Sequence, residues 1–448
     1  MELLIEEIVL YGGFAVLSLI IVIFYLKKKK KQSKIVTVKI EKAIEDKIHE
    51  PVSLHPHVDI DFCIGSGACI TACPEKDILG LINGRATLVN ASECIGHGAC
   101  LHACPVEAIS LVIGTEKRGV DLPHVNETFE SNIKGIYIAG ELGGMGLIRN
   151  GVEQGMQAVE NIVANGIPQE HNMEYDLIII GAGPAGVSAT LTAKQNGLKF
   201  LTVDQDTLGG TVNSYPRAKI IMTQPMYLPT YGNVKLYETS KQKLLDIWNE
   251  AFDKNGIKIK EKTKIESIDS LKDGFKVISK TGEEFTTKTV LLTIGRRGTP
   301  RKLNVPGEEE SPKVFYRLLD PERMVNQNIL VVGGGDSALE SAMLLMHTNK
   351  VILSYRKDAF ARAKSKNRQN IQKAIEEKKL EVHFNTNVVS IEEDKVKMIN
   401  NITNEEYEIL NDFVYVFIGG QMPNSFLKNI GIEIHTRFKY TLKSFRKN

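Results

Sequence analysis

Ile8 to Leu26 is a run of nineteen residues without a charge, near the ~20 that a helix needs to cross a bilayer's hydrocarbon. Glu2, Glu6 and Glu7 precede the run and Lys27 to Lys31 follow it. This order predicts a single-pass membrane anchor and lysine stop over 1–31, in the cell membrane, with the catalytic bulk cytoplasmic. A cleaved signal peptide would begin basic and end in small residues, and neither feature is present. Residues 32–54, rich in Lys and Glu at helical spacing, read as a juxtamembrane helix or tether.

Two later apolar runs predict buried strands, each followed by a glycine turn and a helix. Tyr175 to Ile180 leads into Gly181-Ala182-Gly183-Pro184-Ala185-Gly186, and a second strand, Phe200 to Val203, delivers Asp204. Ile329 to Val332 leads into Gly333-Gly334-Gly335-Asp336-Ser337-Ala338, and Val351 to Ser354 delivers Arg356 at the same offset. Glycines there permit a tight turn and let the backbone approach a pyrophosphate held at a helix N-terminus. An acid at the end of the second strand accepts from ribose hydroxyls, whereas an arginine suits a 2′-phosphate. One such motif is weak evidence. Two with matched offsets are strong.

At 448 residues the chain has room for about three domains. Lys plus Arg is 56 and Asp plus Glu is 54, and the lysine run accounts for the surplus. The folded part is near neutral, which argues against nucleic acid as a partner.

All six cysteines, Cys63, Cys69, Cys73, Cys94, Cys100 and Cys104, fall in one stretch. Cys63 to Pro74 reads C-I-G-S-G-A-C-I-T-A-C-P, and Cys94 to Pro105 reads C-I-G-H-G-A-C-L-H-A-C-P. A disulfide framework belongs to short secreted chains. Closely spaced thiolates, with glycines that let N–H groups reach inorganic sulfide, suit iron–sulfur clusters.

This repeat resembles the bacterial two-cluster ferredoxins, in which the fourth cysteine of each run crosses to the other cluster. The resemblance implies one cluster on Cys63, Cys69 and Cys104 and another on Cys94, Cys100 and Cys73. Ser66 and His97 stand where that family has its second cysteine. Three thiolates suit [3Fe-4S], or [4Fe-4S] whose last iron takes His97, Ser66 or a small exogenous ligand. His97 reads equally as a surface residue beside the cluster, and an alcohol such as Ser66 is a poor iron ligand.

Together with Thr293-Ile294-Gly295-Arg296 and Gly419-Gly420-Gln421-Met422-Pro423-Asn424, the two glycine units resemble the thioredoxin reductase-like pyridine nucleotide–disulfide oxidoreductases over residues 174–448. The resemblance implies FAD on Gly181, Gly183, Gly186 and Asp204, with Gly209 and Gly210 near the flavin. It implies NADPH, or NADH, on Gly333, Gly335, Ala338, Arg356 and Arg362, the last also readable as a solvated charge. Such proteins finish with an Ala-Gly-Asp strand and a helix facing the flavin. Here Ala139-Gly140-Glu141 and the helical run Gly151 to Val163 look like that element placed ahead of the FAD unit. Gly140 and Glu141 are therefore further FAD candidates, and a linker that merely looks similar is the competing reading.

The expected fold is α/β, with two Rossmann-like nucleotide-binding domains, the FAD domain circularly permuted. A small α+β ferredoxin-like domain and one N-terminal transmembrane helix complete it. The expected boundaries are 55–113 for the cluster module, 114–165 for the permuted closing element and 166–297 for the FAD domain. The NAD(P)H domain follows over 298–412, and 413–448 returns to the FAD domain. The expected activity is electron transfer between NAD(P)H, FAD and two clusters, to or from a redox protein or quinone, with a homodimer left open. No Cys-x-x-Cys lies in 105–448, which disfavours disulfide reduction, although some relatives that resemble bacillithiol-disulfide reductases also lack that pair. A redox sensor without steady turnover is a further alternative.

Overall fold

The apolar run, the lysines and most of the expected tether form one uninterrupted helix, α1 (Glu2–Glu45), in the computed structural model. All residues are described except 1, 46–48, 50, 52–53, 76, 92–93, 95, 97, 117–118, 145, 167–171, 216–219, 224, 297–298, 361–362 and 442–448. From Leu10 to Lys28 every residue of α1 is exposed. Beyond that point Lys29, Ser33, Val36, Ile40 and Ala43 are partly or wholly covered, a spacing of four and three that keeps one face of a helix together. Among the described residues α1 is the one helix long and apolar enough to cross a membrane.

The chain divides into two compact units, residues 1–119 with 438–448, and residues 120–437. In the first, β1 (His55–Val58), α2 (Ala68–Ala72), β2 (Leu79–Ile82), β3 (Arg85–Leu88), α3 (Ala99–Ala103) and β4 (Ile109–Ile113) make the cluster module. β1 runs antiparallel to β4, and β2 and β3 form a hairpin turning at Asn83-Gly84. The repeat in sequence is a repeat in backbone. Gly65 and Gly67, at φ 70 and 75, enter α2 as Gly96 and Gly98, at φ 71 and 78, enter α3, a left-handed conformation that favours glycine. The covered face of α1 packs on β2, with Val36 against Gly80.

The second unit opens with β5 (Val120–Pro123), β6 (Ile136–Ile138), α4 (Ile148–Ala164), β7 (Tyr175–Ile180), α5 (Pro184–Gln195) and β8 (Phe200–Val203). Next come β9 (Ile220–Met222), β10 (Met226–Leu228), β11 (Gly232–Val234), β12 (Glu238–Ser240) and α6 (Lys241–Lys254). β13 (Ile265–Leu271), β14 (Gly274–Ser279) and β15 (Glu284–Leu292) complete a six-stranded sheet ordered β13-β14-β15-β7-β8, in which β6 also pairs with β15. The pairing of β6 is parallel, Val290 to Ile136 and Leu292 to Ile138. The element that precedes β7 in the chain thus fills a place in the sheet that β7 begins. Leu177, Ile178 and Ile179 are fully buried, as expected of a parallel strand covered on both faces.

A second sheet, all parallel, is ordered β16-β23-β17-β18-β19. Its strands are β16 (Val314–Phe315), β17 (Asn328–Val332), β18 (Lys350–Tyr355), β19 (Glu381–Phe384) and β23 (Phe413–Val416), with α7 (Asp336–Leu345) and α8 (Ser365–Glu376) between them. An antiparallel meander, β20 (Thr386–Ile391), β21 (Lys395–Asn400) and β22 (Glu406–Leu410), lies beside it in the chain.

The described part of the expected return segment, 413–441, is divided four ways. β23 belongs to the second sheet, and α9 (Asn424–Asn429) sends Leu427 into the core of the first. β24 (Ile434–Arg437) pairs with β5, and β25 (Tyr440–Thr441) pairs with β4 in the small sheet.

α4 lies along α5 so closely that a Cβ on Gly155 would collide with the Ala185 carbonyl. Gly155→Ala should therefore destabilise the protein by about 1–3 kcal/mol, read as a lowered denaturation midpoint with an unchanged slope.

Candidate functional site

The first glycine loop leaves open space at Gly183 where a phosphate would lie. Gly181 has φ 108, and a Cβ on Gly186 would strike the Gly181 carbonyl, whereas nothing stands within 4 Å of the place a Cβ would take on Gly183. Gly210 approaches from another segment, its Cβ position 3.2 Å from Gly183 Cα, and the Gly209 N–H donates to the Ala182 carbonyl at 2.9 Å. The packing that excludes side chains at Gly181 and Gly186 brings α5's N-terminus up to open space at Gly183. That arrangement suits an anion held by N–H groups.

Asp204 stands buried at the end of β8. Its Oδ2 accepts from the Ala182 N–H at 2.6 Å and its Oδ1 from the Asp206 N–H at 2.7 Å. Burial holds the carboxyl above its ordinary range, opposed by those two N–H groups. Each oxygen keeps a further lone pair for a hydroxyl. Asp206 itself pairs with Arg317 at 2.6 Å.

Three separate segments meet around Glu141. A Cβ on Gly295 would lie 3.9 Å from Glu141 Oε2, and the Glu141 charge acts on Arg296. The Arg296 Nη2 donates to the Asp121 carbonyl at 3.3 Å and lies 3.6 Å from Met422 Sδ. Burial lowers the Arg296 guanidinium's pKa, while Glu141 and then Asp121 oppose that. Gln154 Oε1, further along α4, accepts from the Gly140 N–H at 2.8 Å and fixes its loop.

At the start of α4 the Asn150 Nδ2 is buried without a hydrogen-bond partner. A buried orphan donor is disfavoured unless a ligand or water completes it. With the open ground at Gly183, it makes this unit fit an extended dinucleotide such as FAD. Motif reading missed Arg296, Gln154 and Asn150 as site residues. The Thr-Ile-Gly-Arg motif pointed to the first, and no short motif marks the other two.

The second loop repeats the geometry. Gly333 has φ 143 with no room for a side chain beside the Phe417 carbonyl, and nothing stands within 4 Å of a Cβ on Gly335. Ala338 is wholly buried in α7. Asp336 Oδ1 accepts from the Lys364 N–H and from Asn367 Nδ2, both at 2.8 Å. Arg356 is exposed just beyond β18, and Arg362 lies outside the described residues.

In the cluster module all six cysteines are thiols. Burial pushes Cys69 up, and Cys63 and Cys104 push the same way. Burial pushes Cys94 up to about 11, with Cys73 adding to it, and pushes Cys100 up to about 12, with Cys94 and Cys73 adding to it. Cys63 and Cys104 act on Cys69 as the crossed grouping expects, and so does Cys73 on Cys94, while Cys69 also acts on Cys100 across that grouping. Among the described residues no three such side chains converge on a single metal ion. A cluster asks for something wider, since each thiolate binds a different iron.

N–H groups of Ala86, Gly96 and Ala108 donate to the sulfurs of Cys63, Cys94 and Cys104 at 3.3, 3.4 and 3.2 Å, contacts of the kind that tune a cluster's potential. Ser66 is exposed, its hydroxyl accepting from the Ala68 N–H at 3.4 Å. His97 lies outside the described residues.

With this geometry, residues 178–445 match the pyridine nucleotide-disulphide oxidoreductase family, and residues 55–105 match the 4Fe-4S dicluster domain. The chain belongs to the pyridine nucleotide-disulphide oxidoreductases. It is 31% identical over 279 residues to ferredoxin–NADP reductase 2 of Chloroherpeton thalassium, covering 59% of this chain and 78% of that one. Against thioredoxin reductase of Bacillus subtilis the figures are 29% over 273 residues, 58% and 78%. A ferredoxin–NADP reductase of Ignicoccus hospitalis is 29% identical over 188 residues, and the chain covers 57% of its length. The bacillithiol disulfide reductase of Bacillus cereus shares the fold, with a TM-score of 0.50 at 21% identity over 58% of this chain and 82% of that one. The family and its relatives imply FAD and NADP(H), and the dicluster match implies iron–sulfur clusters.

Only a thiolate reacts with an alkylating agent, so a raised pKa postpones reaction to higher pH. In cluster-free protein, Cys94 and Cys100 should react with iodoacetamide far more slowly at pH 8 than a cysteine in a peptide. Their rates should climb about tenfold per pH unit from pH 9 toward about 11, as mapped by mass spectrometry.

Proposed function

We propose that this protein is a membrane-anchored oxidoreductase that exchanges electrons between NADPH, FAD and two iron–sulfur clusters, with a redox protein or a membrane quinone as outer partner. One observation carries the reading. No cysteine outside Cys63 to Cys104 remains to form a redox disulfide, while the stretch that holds those six matches a 4Fe-4S dicluster domain. Relatives bear the name ferredoxin–NADP reductase, which pairs two redox parties that this chain carries on one polypeptide. Bound flavin takes a hydride as an electron pair and releases electrons singly, which matches a nicotinamide to one-electron clusters.

On this reading Gly181, Gly183, Gly186, Gly209 and Gly210 line the FAD pyrophosphate, and Asp204 offers its free lone pairs to a ribose. Gly140, Glu141 and the Asn150 amide serve the flavin end. Gly333, Gly335 and Ala338 receive the second nucleotide, and Arg356, aided by Arg362, holds its 2′-phosphate. Cys63, Cys69 and Cys104 hold one cluster and Cys73, Cys94 and Cys100 the other, with His97 the candidate fourth ligand of the second. The boundaries set out from the sequence up to residue 297 delimit these parts, while Phe413–Val416 extends the NAD(P)H domain and Tyr440–Thr441 joins the cluster module. The apolar length of α1 and Lys27 to Lys31 support a single span, with the clusters and nucleotide sites on the cytoplasmic side.

Anaerobic addition of NADPH to the loaded protein should bleach the flavin absorbance and then that of the clusters; clusters that stay oxidised would sink the proposal. Arg356→Ala should raise the KM for NADPH by about tenfold to a hundredfold, the loss of a charged hydrogen bond, and leave that for NADH unchanged.

A further inference from the structure

Three large apolar side chains crowd the entry to the first cysteine run without cover. Ile60 is 60% exposed, Phe62 68% and Ile64 64%, and Cys63 lies among them. Scattered surface hydrophobics are ordinary, but a cluster of this size marks a contact surface.

The neighbours of this loop say what it touches. A Cβ on Gly65 would collide with the Gly84 carbonyl at the hairpin tip, so the loop abuts that tip. The tip in turn rests on α1: a Cβ on Gly84 would lie 2.5 Å from Lys29 Nζ, and the Asn83 N–H donates to Ser33 Oγ at 2.9 Å. Lys29 is within the lysine run, three residues past Leu26, the last apolar residue of the proposed span. At about 1.5 Å per residue, its contacts at Lys29 and Ser33 put the tip roughly 5–10 Å beyond the hydrocarbon boundary.

Charge fits the same neighbour. Lys27, Lys28, Lys30 and Lys31 are exposed beside the tip and favour anionic headgroups. The opposing acids are Asp59 and Asp61, both exposed. Asp59 turns its Oδ1 onto the N–H groups of Asp61 and Phe62, at 3.0 and 3.4 Å. Two acids against these lysines leave the face net positive.

We propose that Ile60, Phe62 and Ile64 form a second membrane contact, inserted into the headgroup region of an anionic bilayer beside the end of α1, which seats the Cys63, Cys69 and Cys104 set at the membrane surface. This rests on the proposal that α1 spans the bilayer and adds an interfacial anchor to it. The hydrogen bond from the Ala86 N–H to Cys63 Sγ and that from Arg85 to the Cys63 carbonyl tie this set to the same hairpin.

The chain carries one tryptophan, Trp248, which is wholly buried, so Phe62→Trp introduces a clean reporter. The loaded protein is reconstituted into phosphatidylcholine–phosphatidylglycerol vesicles, with and without bromine on the shallow acyl carbons. Interfacial side chains sit about 5–10 Å into the headgroup–acyl boundary, so emission of the Phe62→Trp protein should fall roughly twofold with brominated lipid, and that of the natural protein little. Ile60→Trp and Ile64→Trp repeat the measurement, and flavin and cluster absorbance reports that each variant is folded. Flotation with vesicles without quenching at any of the three positions overturns the contact and leaves the span intact, the outcome expected of a protein-docking loop. Failure to float overturns the span, and the contact with it.

Discussion

The nucleotide unit is closed by the contact between α4 and α5, which leaves no space for a side chain at Gly155. It holds a segment that precedes β7 in the chain against the helix that follows β7. With β6 paired in parallel to β15, it completes a sheet whose strands β6 and β7 are buried on both faces. Without it, Val290, Leu291 and Leu292 of β15 would have a parallel partner on one side only, and Glu141 would not reach Gly295.

From that contact the site follows. The N-terminus of α4, carrying the unpartnered Asn150 amide, and the N-terminus of α5, opening at Gly183, belong to one cradle because the two helices are packed together. Thr293 stitches the cradle to the sheet, its hydroxyl donating to the carbonyls of Ile180 and Gly181 at 3.0 and 2.7 Å. Arg296, from the same Thr-Ile-Gly-Arg motif, sits where Glu141, Asp121 and Met422 converge.

The cluster module is held together differently. Its elements are five residues or fewer, too short to be stable alone, and its thiols are pressed together against their own repulsion when ionised. Cluster iron relieves that repulsion by binding the thiolates, so loading adds stability to the folded module. The covered face of α1 adds a stiff support, since the helix passes from the apolar run to the hairpin without a break.

The glycine loops, the doubled cysteine unit and the apolar run are legible in the sequence because each is short-range: a turn needs glycine where φ is positive, thiolates need close spacing, and a span needs length. Asp204 and Arg356 follow too, since a strand and a helix of ordinary length fix their offset. The convergence of Arg296 and Gln154 on the loop of Gly140 and Glu141 is not legible, because Arg296 comes from a segment far along the chain and the spacing of the three carries no period. Nor is the division of residues 413–441 among three sheets, where β23 fills an interior place and the short β24 and β25 each pair along one side only. The kinds of chemistry this chain carries are thus written in local residue order. Which distant segments enclose that chemistry is settled in three dimensions, because burial and strand pairing act between residues without regard to their separation along the chain.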